Sequence, residues 1–118
     1  MTFDDARRIA SSLPETAKIT SYGTPSFKVG KKMLCLLREE GNVLVVPTAE
    51  GFKEALIATR PDVYFETPHY AGTTLVLVRL PAIERAELTD LLADAWALVA
   101  TPKMRATHAE VAADDGQR

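Results

Sequence analysis

Cys35 is the only thiol in this chain. No disulfide can close within it, and a reducing compartment, the cytosol, is expected. No apolar run approaches the roughly 18 residues of a membrane-spanning helix, so no membrane partner is expected. The opening Met1-Thr2-Phe3-Asp4-Asp5 lacks the basic region and apolar run of a secretory signal. Charge of one sign is also lacking. Lys and Arg number 14 against 16 Asp and Glu, a net charge of -2, whereas sequence-independent nucleic-acid binders are usually clearly basic. Catalytic signatures are missing too. There is no Gly-rich phosphate loop ending in Lys-Ser/Thr, no His-Glu-x-x-His, no Gly-x-Ser-x-Gly and no Cys-x-x-Cys. The expectation is a non-enzymatic protein without cofactor or metal.

What remains is ordinary globular material. The 118 residues, 47% hydrophobic and 25% charged, suffice for one domain with one core. Phe3, Ala6, Ile9, Ala10 and Leu13 share one helical face. Thr2 and Asp5 form a capping box at its start, and Pro14 ends it. Ala17 to Tyr22 is a weak candidate for extended chain. Ser26–Val29 and Lys32–Arg38 read as the arms of a hairpin around Gly30-Lys31, and Val43–Val46 as a third arm. Thr48 is the expected cap of a helix over Ala49–Thr59, with Phe52, Ala55, Leu56 and Thr59 on its inner face. Val63–Glu66 reads as an edge strand and Thr74–Leu80 as a central one. The strongest stripe is Leu88, Leu91, Leu92, Ala95, Trp96 and Val99, a helix over Glu84–Ala100 closed by Pro102.

The expected fold class is therefore α+β, in the order α-β-β-β-α-β-β-α. It is a two-layer sandwich: a mainly antiparallel five-stranded sheet with three helices on one face. Residues 1–106 form the domain, and 107–118 a disordered tail. Along the hairpin arms, strict alternation groups Phe27, Val29, Met33, Cys35 and Leu37 against Leu34 and Leu36. Both sheet faces would then be apolar, which points to a homodimer or to a covered second face.

Four motifs taken in order resemble the MmcQ/YjbR-like family of small bacterial proteins. They are Gly23-x-Pro25-x-Phe27-Lys28-Val29-Gly30-x-Lys32, Val45-x-Pro47, Pro68-His69-Tyr70, and Ala95-Trp96-x-Leu98-Val99-Ala100-x-Pro102-Lys103. The resemblance spans residues 3 to 105. It implies a frataxin-like or secretion-chaperone-like sandwich and a DNA-binding label, with no catalytic residues to carry over. Many members have a tryptophan after the His-containing loop. Here Thr73-Thr74-Leu75 stands there, so a surface using that ring is altered.

The candidate DNA interface is a basic hairpin. Lys28, Lys31 and Lys32, joined by Lys103 and Arg105 if these fold back, would contact phosphates, with Tyr22 and His69 as secondary contacts. The alternative is a protein- or small-ligand-binding module using the open sheet face or a groove near His69 and Trp96. His69 as a catalytic base has only Ser21 as a tempting nucleophile, by analogy. Glu84, Glu87, Asp90 and Asp94 read as a solvated face broken by Arg85, rather than as a metal site. Cys35 reads as a buried, inert thiol, and Trp96 as core.

Overall fold

The computed structural model describes residues 1–21, 24–38 and 42–108. The elements are α1 (Phe3–Ser12), β1 (Thr16–Ser21), β2 (Thr24–Val29), β3 (Lys32–Leu37), β4 (Val43–Pro47), α2 (Phe52–Thr59), β5 (Tyr64–Phe65), β6 (Leu75–Arg79), α3 (Arg85–Val99) and α4 (Pro102–Thr107). The strands form one sheet in the order β1-β2-β3-β4-β6-β5, and every neighbouring pair is antiparallel. The α+β sandwich is as expected, but the sheet has six strands rather than five. The sixth is the weakly patterned β1, which pairs with β2 from Thr16↔Val29 to Ser21↔Thr24. As an edge strand it packs little apolar surface and leaves almost no hydrophobic signal. Glu15, in the left-handed region at φ 56°, turns the chain out of α1 into it.

Helix α1 starts as its sequence requires. The Thr2 N–H donates to Asp5 Oδ2 at 2.8 Å, and the Asp5 N–H donates to Thr2 Oγ1 at 3.3 Å. These bonds, the backbone one foremost, hold the Asp5 carboxyl below its ordinary range. Ala6, Ile9 and Ala10 are buried, with Phe3 and Leu13 packed beside them. Helices α1, α2 and α3 share one core with the sheet face formed by Phe27, Val29, Leu37, Leu44, Val46 and Val78. Within α3 the predicted stripe is buried along its whole length.

Two expectations fail for identifiable reasons. In the hairpin, Phe27 pairs with Cys35 but Lys28 pairs with Met33, so one extra residue, Leu34, bulges from β3. The bulge reverses the alternation there. Leu34 joins Cys35 and Leu37 in the helix-side core, while Met33 falls with Leu36 on the opposite face. In α2, the residue at the N-cap is Gly51 (φ 82°), not Thr48. Thr48 instead ties β4 to the start of β6, donating both its hydroxyl (2.6 Å) and its N–H (2.9 Å) to Thr74 O. With α2 starting later than expected, Phe52, Ala55 and Thr59 are exposed. Leu56 and Ile57 face the core, and the buried residue of the helix is Lys53.

The sheet face away from the helices is apolar, as expected. A row runs Leu36↔Val45↔Leu77↔Phe65 across four strands. Val45 and Leu77 are inaccessible within the single chain, and Tyr70, from the loop between β5 and β6, packs against them.

Helix α4 was not anticipated. Pro102 closes α3 but also opens α4, with Thr101 as its cap accepting from the Met104 N–H at 3.1 Å. Thr107 ends α4. His108 lies edge-on to Trp96, with ring centroids 6.1 Å apart, and its Nε2 lies 3.1 Å from Glu15 Oε2. The remainder of the expected tail, 109–118, falls outside the described residues.

Candidate functional site

The hairpin tip and α4 meet. Gly30 has φ 61°, and a Cβ there would stand 3.3 Å from Met104 Cε. Lys103 is thereby carried to the end of the molecule that holds Lys31 and Lys32, and all three are exposed. The other predicted contacts do not join them. Arg105 Nη1 donates to Ala97 O (3.1 Å) and Ala100 O (2.6 Å), capping the carbonyl end of α3. Lys28 is half-buried beside Met33, on the sheet face opposite the helices. His69 is exposed in the β5–β6 loop, edge-on to Tyr70 at 4.8 Å between ring centroids. Tyr22 lies outside the described residues.

Trp96 does not border the groove expected near His69. Trp96 is 0% exposed and donates its indole N–H to Pro14 O at 2.8 Å, locking α3 to the end of α1. The ring is core and borders no opening.

A groove does lie nearby, between α2 and α3. It encloses about 410 Å³ and is walled by Pro47 and Ala49, by Phe52 of α2, and by Leu91, Ala95 and Leu98 of α3. Asp94 supplies the only charge in its wall. Phe52 (41% exposed) and Leu98 (45%) are the exposed large hydrophobic residues of the described chain, and both border this groove. The outward turn of α2 that sequence reasoning missed puts Phe52 there.

Next to it, sharing Ala49 as a wall, is a polar cavity of about 270 Å³. Glu50, Glu54 and Glu66 line it, with Lys53 at its base. Lys53 is 2% exposed. Its ammonium donates to Tyr70 O (2.9 Å) and Thr73 O (3.0 Å) and pairs with Glu66. Its three protons are matched by three acceptors, so Lys53 clamps the loop that carries Tyr70. A lysine inside an otherwise apolar helix period gives no sequence cue for this, because lysine is rarely buried.

Glu87, Tyr64 and Cys35 have structural roles. Glu87, read as part of a solvated stripe, accepts from Tyr64 Oη (2.6 Å) and Arg60 Nη1 (2.9 Å). Burial, then the Glu87 bond, pushes the Tyr64 hydroxyl upward. Burial pushes the Cys35 thiol up to about 12, so it stays neutral at physiological pH. Among the described residues no three His, Cys, Asp or Glu side chains are placed to hold a metal ion. None of the described helices is long and apolar enough to cross a membrane.

Comparison with known proteins places this geometry among relatives. A family model described as YjbR matches residues 11–98. The chain is 38% identical, over 120 aligned positions, to the uncharacterized protein Rv2570 of Mycobacterium tuberculosis and to the uncharacterized protein Mb2600 of Mycobacterium bovis. Each alignment covers 86% of this chain and 90% of the relative. A crystal structure of the Deinococcus radiodurans protein DR2400, a DUF419 domain, superposes with a TM-score of 0.75 at 24% identity. That superposition covers 90% of this chain and 86% of the other, a likeness of fold.

Proposed function

For a chain that belongs to the YjbR family, we propose that the activity is binding rather than catalysis, and that the working surface is the apolar groove between α2 and α3. The observation that carries this reading is the placement of Phe52 and Leu98. Two large apolar side chains stand open to water on facing helices, at the lips of a cavity within the usual size range for ligand sites, about 300–1,000 Å³. Exposing them loses hydrophobic stabilisation that an occupant would recover, at about 25 cal/mol per Å² of apolar area covered. Three groups able to do acid–base or nucleophilic chemistry, Lys53, Glu87 and the neutral Cys35, are engaged in holding the fold or buried within it. A buried, unpaired cysteine fits a reducing cytosol.

Nile red, a neutral apolar dye, tests the groove directly. Its emission is expected to rise and shift to the blue with the wild-type protein. Leu98→Gln combined with Phe52→Gln should weaken binding roughly tenfold or more, equivalent to about 1.4 kcal/mol. Both positions are exposed, so the fold should be unaffected. Wild-type protein that leaves the dye dark, or a double variant that binds it equally well, rejects the groove.

A second reading has its own observation. The Met104–Gly30 contact gathers Lys31, Lys32 and Lys103 at one end of an otherwise acidic protein, which supports weak contact with a polyanion such as the DNA backbone. Fluorescence anisotropy with a DNA duplex should then show affinity falling steeply with salt, with a shallower slope after Lys31→Glu and Lys32→Glu. No binding at low salt and micromolar protein removes this reading.

A further inference from the structure

The groove has a chemically distinct neighbour. The β4–α2 connection forms a ridge, and Ala49 on that ridge lines both cavities. On one side the wall is apolar with a single carboxylate, Asp94. On the other, Glu50, Glu54 and Glu66 face the polar cavity, and all three are exposed. The one cation there, Lys53, is buried with its protons directed to Tyr70 O, Thr73 O and Glu66. Lys53 offsets the charge of Glu66, which leaves Glu50 and Glu54 to set the sign of the cavity. An anionic compartment therefore adjoins an apolar one, and a carboxylate also stands in the wall of the apolar one.

We infer that the paired cavities receive a short basic-apolar segment of a partner protein, with its aliphatic or aromatic side chains between Phe52 and Leu98 and its lysine or arginine side chains past Ala49 toward Glu50 and Glu54. This rests on the groove reading above and adds the chemistry of the occupant. Charge complementarity selects a cation-bearing partner, since an anionic one would face the like charges of Glu50 and Glu54 in the polar cavity. The arrangement favours a linear segment over a small molecule. A compact ligand would fill one cavity, whereas a chain can seat apolar side chains in one and extend a cation into the other, as amphipathic segments do in helix-lined grooves.

Isothermal titration with two short amphipathic peptides tests the inference. The peptides have identical leucine and alanine positions, and one carries lysine, the other glutamate, at every polar position. The lysine peptide should bind roughly tenfold or more tightly than the glutamate peptide, with the gap narrowing as salt is raised. Neutralising the polar cavity with Glu50→Gln and Glu54→Gln, which lie outside the groove wall, should bring the two affinities together while leaving Nile red binding unchanged. Equal affinities for the wild-type protein, or a preference for the glutamate peptide, overturn the inference. So does wild-type protein that binds Nile red but neither peptide, which would identify a small neutral ligand. A concentration-dependent dimer in sedimentation velocity that Leu98→Gln abolishes overturns it in favour of a second copy of the chain. Failure of Nile red itself removes the groove reading beneath it, so the two failures are distinguishable.

Discussion

Replacing Trp96 with alanine should cost about 3–5 kcal/mol of folding stability, the usual range for emptying a large buried aromatic site. That is a major share of the roughly 5–15 kcal/mol that holds a domain of this size together. The effect has two sources. The indole is inaccessible in the α3 face of the core, so its removal leaves a cavity that neighbours on several elements cannot all close. Its N–H also donates to Pro14 O across 82 residues of chain, joining α3 to the end of α1. Trp96→Phe separates these contributions. It keeps most of the apolar contact and removes one of two donors to the Pro14 carbonyl, the Thr16 hydroxyl remaining at 3.2 Å, at about 0.5–1.5 kcal/mol for the lost hydrogen bond. Urea unfolding followed by far-UV circular dichroism reads both variants without relying on tryptophan emission. A loss under about 1 kcal/mol for Trp96→Ala would mean that the ring does not sit in the core.

The second large effect is expected at Lys53→Met. Methionine keeps the apolar stem and removes the ammonium. Thr73 O then loses its donor at the base of the polar cavity, while Tyr70 O keeps the Thr73 N–H (3.1 Å) and the Thr73 hydroxyl (2.7 Å). With one carbonyl left unsatisfied, the cost should be about 1–3 kcal/mol. Glu66 contributes less. It is 42% exposed, so its carboxylate stays hydrated when its partner is gone, and Glu66→Gln alone should cost at most about 1 kcal/mol. A local signature separates the clamp from a general core defect. The Lys53 ammonium holds the carbonyl of the same tyrosine whose ring packs on Val45 and Leu77. Hydrogen exchange should therefore accelerate in the 66–74 loop before it does in α3. Uniform acceleration across the fold, or none, would contradict a clamping role for Lys53.

These effects differ in how legible they were. Trp96 belongs to a stripe recurring at helical spacing, and any helix carrying that stripe must turn it toward a core, so its burial follows from the local pattern alone. The Thr2–Asp5 box is legible for the same reason, since all its atoms lie within one turn. Lys53 was illegible because its burial depends on acceptors that arrive from a loop 17 to 20 residues later in the chain. The groove was misplaced for a related reason. The inner face of α2 is Lys53, Leu56 and Ile57 rather than Phe52, Ala55, Leu56 and Thr59, and the contacts that choose between these faces come from segments remote in sequence, among them the Tyr70 and Thr73 carbonyls that hold Lys53.

What the chain alone determines is its set of elements and the layer they form. Capping residues, glycine turns and the spacing of apolar side chains act over a few residues, and they specify an antiparallel sheet under three helices whatever else the protein does. What only the folded molecule decides is which distant groups meet. The bulge at Leu34 reassigns Met33 to the opposite sheet face, the Met104–Gly30 contact brings Lys103 to the hairpin, Arg105 is drawn onto the carbonyls of α3, and the apolar groove comes to lie beside an acidic cavity. Each of these depends on packing between segments remote in sequence, where a shift of one residue in register or helix start moves a side chain from one surface to the other.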